Sequence, residues 1–165
     1  MISLIVAVDK NMGIGKDNKL LAHIKPDLQY FKGITDGAVV VMGYNTYMSL
    51  PIRPLPNRKN IVITRKEIAL EGATVSHSFD ELIEWAQAQQ EEIFICGGAS
   101  IYQQAMPYAD RLYITHIFKS FEADTFFPSI GEEWQITDTK AERENIHHEH
   151  PHVFCIYQKG KRQAC

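Results

Sequence analysis

Three runs of this chain are apolar without interruption: Leu4-Ile5-Val6-Ala7-Val8, Val39-Val40-Val41-Met42 and Ile93-Phe94-Ile95-Cys96. A strand with one wet face alternates apolar and polar residues, whereas a continuous β-branched run marks a strand buried on both faces. Such strands need a helical layer on each side, which a mostly parallel sheet with crossover helices supplies. The pattern predicts strands at Ser3–Val8, Ala38–Met42, Asn60–Thr64, Ile93–Cys96, Arg111–Phe118 and Val153–Gln158. The last two are more mixed and suit an antiparallel edge. Helices are predicted at Pro26–Thr35, after Gly43 as far as Pro51, at Phe79–Gln90 and from near Ser100 to about Pro107. Ser78 and Glu81 have capping-box spacing ahead of an apolar stripe of Phe79, Leu82, Ile83 and Ala86. Trp85 and Trp134 read as packing residues on a helix and a strand. The class is α/β.

The 165 residues suit one domain spanning 1–165, with no repeat or linker to divide it. A net charge of −3 argues against a nucleic-acid partner. No apolar run approaches the ~20 residues of a membrane span, and Met1-Ile2-Ser3-Leu4-Ile5 enters a strand directly rather than reading as a signal peptide. Cys96, Cys155 and Cys165 are odd in number and widely spaced, which suggests neither a disulfide framework nor a zinc site. A cytoplasmic protein is expected, and nothing in the pattern demands an obligate dimer.

Asp27 is the only acid between Asp17 and Asp36. Pro26 before it suits the first helical position, which puts Asp27 in the first turn with Leu28, Phe31 and Ile34 on nearby faces. A lone carboxylate on an apolar surface can bind a flat, nitrogen-rich ring through paired hydrogen bonds. The plainer reading is an acid that complements the helix dipole.

Open α/β sheets bind ligands beyond the carboxyl ends of their strands, and three strand-to-helix junctions have suitable chemistry. Gly43 precedes a helix start bearing Tyr44, Asn45 and Thr46; Gly97 and Gly98 precede Ala99, Ser100 and Ile101; and a third strand ends in Thr64, Arg65 and Lys66. Free N–H groups at helix starts favour phosphate. Each junction alone is weak evidence, since glycines more often only make tight turns, and neither glycine site matches the G-x-G-x-x-G fingerprint; three together favour a dinucleotide. Pro54-Leu55-Pro56-Asn57-Arg58-Lys59 is a stiff basic approach that would aim Arg58 at a carboxylate. His147-His148-Glu149-His150-Pro151-His152 has the donors of a metal cluster, but its polar context and Pro151 favour an exposed hairpin loop.

In this order, several segments together resemble the dihydrofolate reductase family over nearly the whole chain: Ile2–Ala7, Gly13-Ile14-Gly15 with Asn18, Pro26-Asp27-Leu28 with Phe31-Lys32, Val41-Met42-Gly43 with Thr46, Pro54–Arg58, Cys96-Gly97-Gly98-Ala99 with Ile101-Tyr102, Tyr113-Ile114-Thr115 and Asp124–Pro128. The fold implied is a mostly parallel eight-stranded sheet with an antiparallel C-terminal edge strand and four flanking helices. The activity implied is reduction of 7,8-dihydrofolate with NADPH by a cytosolic monomer. Asp27 would hold the pterin and promote protonation at N5, with Thr115 bonded to Asp27 and Leu20 beside the reacting rings. Ile5, Val6, Leu28, Phe31, Leu50, Leu55, Cys96 and Tyr102 would line the substrate site, and Arg58 would take the glutamate α-carboxylate. Ala7, Ile14, Gly15, Asn18, Gly43, Tyr44, Asn45, Thr46, Thr64, Arg65, Gly97, Gly98, Ala99, Ser100 and Ile101 would hold the cofactor. Residues from Asp9 to His23 would form a mobile loop over the nicotinamide.

The chain departs from the family in three places. Leu21-Ala22 stands where Pro-Trp is usual, and drug-insensitive variants also diverge there; weakened binding of trimethoprim-like antifolates is expected. Tyr44 replaces an arginine that faces the 2′-phosphate, and Arg65 would supply the cation instead. Leu50-Pro51-Ile52-Arg53-Pro54 is one residue longer than the usual turn. Two alternatives stay open: a reductase of the same fold acting on a pyrimidine ribosyl phosphate, and a catalytically silent folate- or nucleotide-binding protein.

Overall fold

The continuous apolar runs do become the middle of the sheet. In a computed structural model that describes residues 1–160, so that Cys165 lies outside the described part, the chain begins with β1 (Ile2–Val8) and a hairpin of β2 (Gly13–Lys16) and β3 (Lys19–Leu20). Then come α1 (Lys25–Thr35), β4 (Val39–Gly43), α2 (Tyr44–Ser49), β5 (Lys59–Ile63), β6 (Ala73–Ser76), α3 (Phe79–Ala88), β7 (Ile93–Ile95) and α4 (Ala99–Ala105). A 3-10 turn at Met106–Tyr108 leads to β8 (Arg111–Ile117), β9 (Thr125–Phe126), β10 (Trp134–Lys140), α5 (Arg143–Ile146) and β11 (His152–Lys159).

Eight strands form one sheet in the order β10-β11-β8-β1-β7-β4-β5-β6. All neighbouring pairs are parallel except those made by β11, which runs against both β8 and β10. Alternate residues of the central strands feed two cores, as a period of two requires. Leu4, Val41, Ile95 and Ile114 pack with Leu82 and Ile83 of α3 and Tyr102 of α4. Ile5, Val40, Met42 and Phe94 pack on the other side with Phe31 and Ile34 of α1 and Tyr47 of α2. A fully buried residue such as Leu4 or Ile95 contributes roughly 2 kcal/mol.

Several expectations need correction. Among the described residues helices number five, because Arg143–Ile146 adds a single turn; one turn carries no apolar period to read. The antiparallel C-terminal strand lies second from the edge, since β10 covers it, and β8 is an internal strand parallel to β1. Neither β6 nor β10 stood out in the sequence. Both are edge strands, and β10 is exposed beyond Trp134 and bulged between Ile136 and Asp138, so burial imposes little pattern on it. The helix at Asp27 starts one residue early, at Lys25. The expected exposed histidine loop is only partly so. His148 and His150 are half-buried and His152, on β11, is fully buried. Among the described residues no group of three or more such side chains is placed to hold a metal ion, and no helix is long and apolar enough to cross a membrane.

The residues between β1 and α1 are pinned more than a free loop would be. Asp17 and Asn18 both have positive φ, 51° and 61°, and turn the β2–β3 hairpin. Buried Asp9 accepts hydrogen bonds from the backbone N–H groups of Asn11, Gly13 and Phe121 at 2.8–2.9 Å. With β9 paired to β2, this ties Asp9–Lys16 to the segment before and through β9. Leu20 is held by its pairing with Gly15 in the hairpin, and Leu21-Ala22-His23 is the stretch left outside those ties.

Candidate active site

Five neighbouring strands end in a row. In the order β8-β1-β7-β4-β5 their carboxyl ends carry Thr115, Ala7, the Gly97–Gly98 turn, Gly43 and Thr64. Ala7 and Thr115 are register partners, as are Gly43 and Ile63. Four strand spacings of about 4.8 Å make an edge of about 19 Å, long enough for an extended dinucleotide. The three junctions singled out in the sequence are therefore adjacent.

Asp27 closes one end of this row. The Thr115 hydroxyl donates to its Oδ1 at 2.6 Å, joining α1 to the end of β8. Burial pushes the Asp27 carboxyl above its ordinary range; the Thr115 hydrogen bond and the charge of His152 pull it back without cancelling the rise. The acid opens on a cleft lined by Ala7, Ile14, Leu20, Ala22, Leu28 and Ile117, with a volume of about 20 Å³. That is room for one water. A flat bicyclic ring needs more room than that, so the lining must shift to admit one. Leu20 (57% exposed) and Leu28 (45%) lie at the rim, with Leu21 and Ala22 half-buried beside them.

Close packing at the glycine turn explains its composition. Gly97 has φ +120°, where L side chains are strained, and a β-carbon there would meet the Tyr102 ring at 3.4 Å. One on Gly98 would meet Thr46 Oγ1 at 3.2 Å. The Gly97 carbonyl accepts from Gly43 N–H at 2.8 Å, which locks the β7 and β4 junctions together. Tyr102, buried, donates its hydroxyl to the Ile5 carbonyl at 2.7 Å and so supports the end of β1 from below. Gly43 and Gly98 are the N-caps of α2 and α4 and offer no side chain to the first turns, which leaves those N–H groups for a ligand. Ala99 and Ile101 are half-buried, Asn45 and Ser100 exposed. Cys96 gives its N–H to the Val41 carbonyl, and burial pushes its thiol up to about 12, which removes it as a nucleophile.

At the β5 end, Tyr44 is half-buried with the Lys66 ammonium 4.1 Å from its ring centroid. Lys66 is thus the cation tied to Tyr44, while Arg65 stands exposed beside it. Gly15 is buried and Asn18 exposed on the hairpin.

Arg58 sits at the far side of α1. Its Nε donates to the Pro56 carbonyl at 2.8 Å, its Nη1 to Thr35 Oγ1 at 3.2 Å, and its guanidinium lies 5.9 Å from the Phe31 ring centroid. Phe31, Leu50 and Leu55 pack into the same apolar cluster beside it. Buried Asn60 stitches the loop: its side chain accepts from Leu55 N–H and donates to the carbonyls of Leu55 and Arg58. Sequence reasoning missed Asn60 and Thr35, and an asparagine at the start of a predicted strand was the one available signal. In the longer turn, Arg53 donates to the Met48 carbonyl and Ile52 is exposed.

The site thus sets an acid beside an apolar cleft at one end, a cation at the far side of α1 and a row of strand ends with glycine-capped helices between them. Comparison with known proteins agrees. The family model for dihydrofolate reductase matches residues 1–159.

The chain belongs to the dihydrofolate reductase family.

Among its relatives, the dihydrofolate reductase of Bacillus subtilis is 42% identical over 96% of this chain and 95% of its own. A dihydrofolate reductase type 3 from Salmonella typhimurium is 43% identical over 82% and 83%. A solved dihydrofolate reductase from Enterococcus faecalis, complexed with NADP(H) and RAB-propyl, superimposes with a TM-score of 0.89 at 34% identity, covering 97% of this chain and 96% of that one. The enzyme class and NADP cofactor implied by the resemblance therefore stand with the family and with the mostly parallel eight-stranded sheet.

Proposed function

We propose that this chain, as a single-domain cytoplasmic monomer, transfers a hydride from NADPH to 7,8-dihydrofolate, with Asp27 promoting protonation of pterin N5. The observation that carries the proposal is the Asp27–Thr115 pair at the end of a strand row whose other members are the glycine junctions. The cofactor, when bound, supplies the hydride; the glycine junctions fit it, because Gly43 and Gly98 cap α2 and α4 without a side chain and leave first-turn N–H groups for its phosphates. Asp27 binds the ring edge through paired hydrogen bonds, and its negative charge favours the cation that makes the adjacent carbon electrophilic. Thr115 fixes which oxygen faces the ring. Leu20, Leu28 and Ile14 exclude water, so the acid and the ring meet in a low dielectric. Arg58, clamped on Pro56 and Thr35 with Phe31 beside it, binds the glutamate α-carboxylate. NADPH consumption dependent on dihydrofolate, absent in Asp27→Ala, tests the proposal; consumption without dihydrofolate, or with a pyrimidine ribosyl phosphate instead, would overturn it.

Two finer points belong to the same reading. Ala22 lines the cleft where the family usually has tryptophan, and we propose that the lost ring surface weakens diaminopyrimidine antifolates such as trimethoprim; nanomolar inhibition of the purified enzyme would sink this. Arg65, exposed and unencumbered by Tyr44, is proposed to meet the 2′-phosphate of the cofactor. Arg65→Ser should then erode the preference for NADPH, and equal efficiency with NADH before mutation would count against the role.

A further inference from the structure

The carboxyl ends of β4 and β5 lie side by side, with Gly43 and Ile63 in register, and the segments that leave them meet. Tyr44, the first residue of α2, is half-buried against the core. Lys66, just past the end of β5, sets its ammonium 4.1 Å from the Tyr44 ring centroid. The other four cation–ring approaches among the described residues lie at 5.3–5.9 Å, so this is the close one. The root of the side chain is fixed as well. Lys66 N–H donates to Thr64 Oγ1 at 3.1 Å, and the Lys66 carbonyl accepts from Ile68 N–H at 3.0 Å. Thr64 is buried, and its own N–H donates to the Ser76 carbonyl of β6 at 3.0 Å. Lys66 is thus tied to the sheet at its backbone and to α2 at its tip.

The kind of partner matters. A carboxylate would hold the ammonium by neutralising it, whereas an aromatic face holds it through the ring quadrupole and leaves the charge whole. Ion pairs among the described residues are Lys16–Glu122, Arg111–Glu92 and Lys140–Glu142, and none of them uses Lys66 or Arg65. A lysine already restrained also has less rotamer freedom to lose when an anion arrives. Arg65, exposed beside it, is not restrained by a ring among the described residues.

We propose that Lys66, positioned by the Tyr44 ring, is the anchored cation for the 2′-phosphate of the cofactor and sets the preference for NADPH over NADH, with Arg65 as a second, unanchored partner. The inference rests on the reading of the strand-end row as the cofactor site. Hydride transfer beside Asp27 puts the reacting ring of the dinucleotide at the β8–β1 end of that row. The adenosine end then falls toward β5, about four strand spacings or ~19 Å away, where Lys66 stands. The pyrophosphate is common to both cofactors, so a cation in the middle of the row would not tell them apart. The 2′-phosphate is the group that differs, a multiply charged anion that only accepts hydrogen bonds at physiological pH, and an ammonium offers three donors with its charge unspent.

The test is equilibrium binding rather than turnover. Calorimetry gives the affinities of NADPH, NADH and the fragment adenosine 2′,5′-bisphosphate for the ligand-free protein, unmutated and as Lys66→Gln, Tyr44→Leu, Tyr44→Phe and Arg65→Ser. Lys66→Gln should weaken NADPH and the bisphosphate about tenfold and leave NADH nearly unchanged. Tyr44→Leu frees the ammonium and should weaken the same two ligands about threefold, while Tyr44→Phe, which keeps a ring, should restore the unmutated affinity. A tyrosine needed only for packing would instead weaken NADH as much as NADPH, and that result overturns its positioning role. Lys66→Gln that weakens both dinucleotides alike, or neither, overturns the role of Lys66. A preference lost in Arg65→Ser and kept in Lys66→Gln overturns it too, and assigns the phosphate to Arg65. Failure of the unmutated protein to bind either dinucleotide overturns the cofactor reading, and this inference with it.

Discussion

At the outer end of the cleft Arg58 is held mainly by its own neighbourhood: the Pro56 carbonyl two residues away, and Asn60 bracing Leu55 and Arg58. At the inner end Asp27 depends on Thr115, 88 positions along the chain, and on a sheet face completed by β11. The cation is half-buried and locally braced, so its contribution is recognition. The acid is desolvated and braced from a distance, so its contribution is chemistry, and its charge state is negotiable in a way that of an arginine is not.

The sharpest way to break this contrast is to remove each charge in turn. Asp27→Asn should lower single-turnover hydride transfer at neutral pH by about 10²–10⁴-fold, while Arg58→Leu should raise the KM for dihydrofolate by roughly 10–100-fold and leave kcat nearly unchanged. A large kcat loss in Arg58→Leu would erase the division between recognition and chemistry. The same Asp27→Asn protein sharpens the electrostatic half. Because the folded carboxyl lies above its ordinary value of 3.8, the native state binds more protons than the unfolded chain as pH rises from that value. Stability is therefore lost across this window, and the penalty is fully present above the raised value. Asp27→Asn should raise Tm at pH 7, and the gain should vanish below about pH 4.

A smaller effect tests whether the outer brace is as local as it looks. Asn60→Ala removes three hydrogen bonds; it should cost about 2 kcal/mol in denaturant unfolding and raise KM less than Arg58→Leu does. Thr115→Val comes last. It should cost about 1 kcal/mol and, by deleting a bond that favours the carboxylate, move the pH midpoint of hydride transfer upward. A downward move would mean the threonine stabilises the protonated acid.

The parts of the fold legible in the sequence were those where burial leaves a pattern. Both-face burial wrote the runs of β1, β4 and β7, and amphipathic period plus a Ser78 cap that accepts from Glu81 N–H at 3.2 Å wrote α3. Edge strands β6 and β10 and the single turn α5 went unread because nothing selects their residues by period. At the site, Asp27, Arg58 and the glycine junctions were visible because each breaks its local context: an acid in an apolar stretch, a cation after two prolines, glycines at strand ends. Lys66 was noted only as one of two cations, and the geometry ties it, rather than Arg65, to Tyr44.

What the chain determined by itself is therefore the class of the fold and the chemical kinds of group at the site, since periodicity and local exceptions are properties of neighbours in sequence. Tertiary structure alone decided that the three junctions and Thr115 end in one row, that Asn60 holds the approach to Arg58, and that His152, at the end of a polar loop, is buried on β11 opposite Ile117. Those facts depend on strand order and register, which bring residues 88 positions apart to 2.6 Å. No local pattern carries that information, because the hydrogen bonds that set it are closed only when the sheet is.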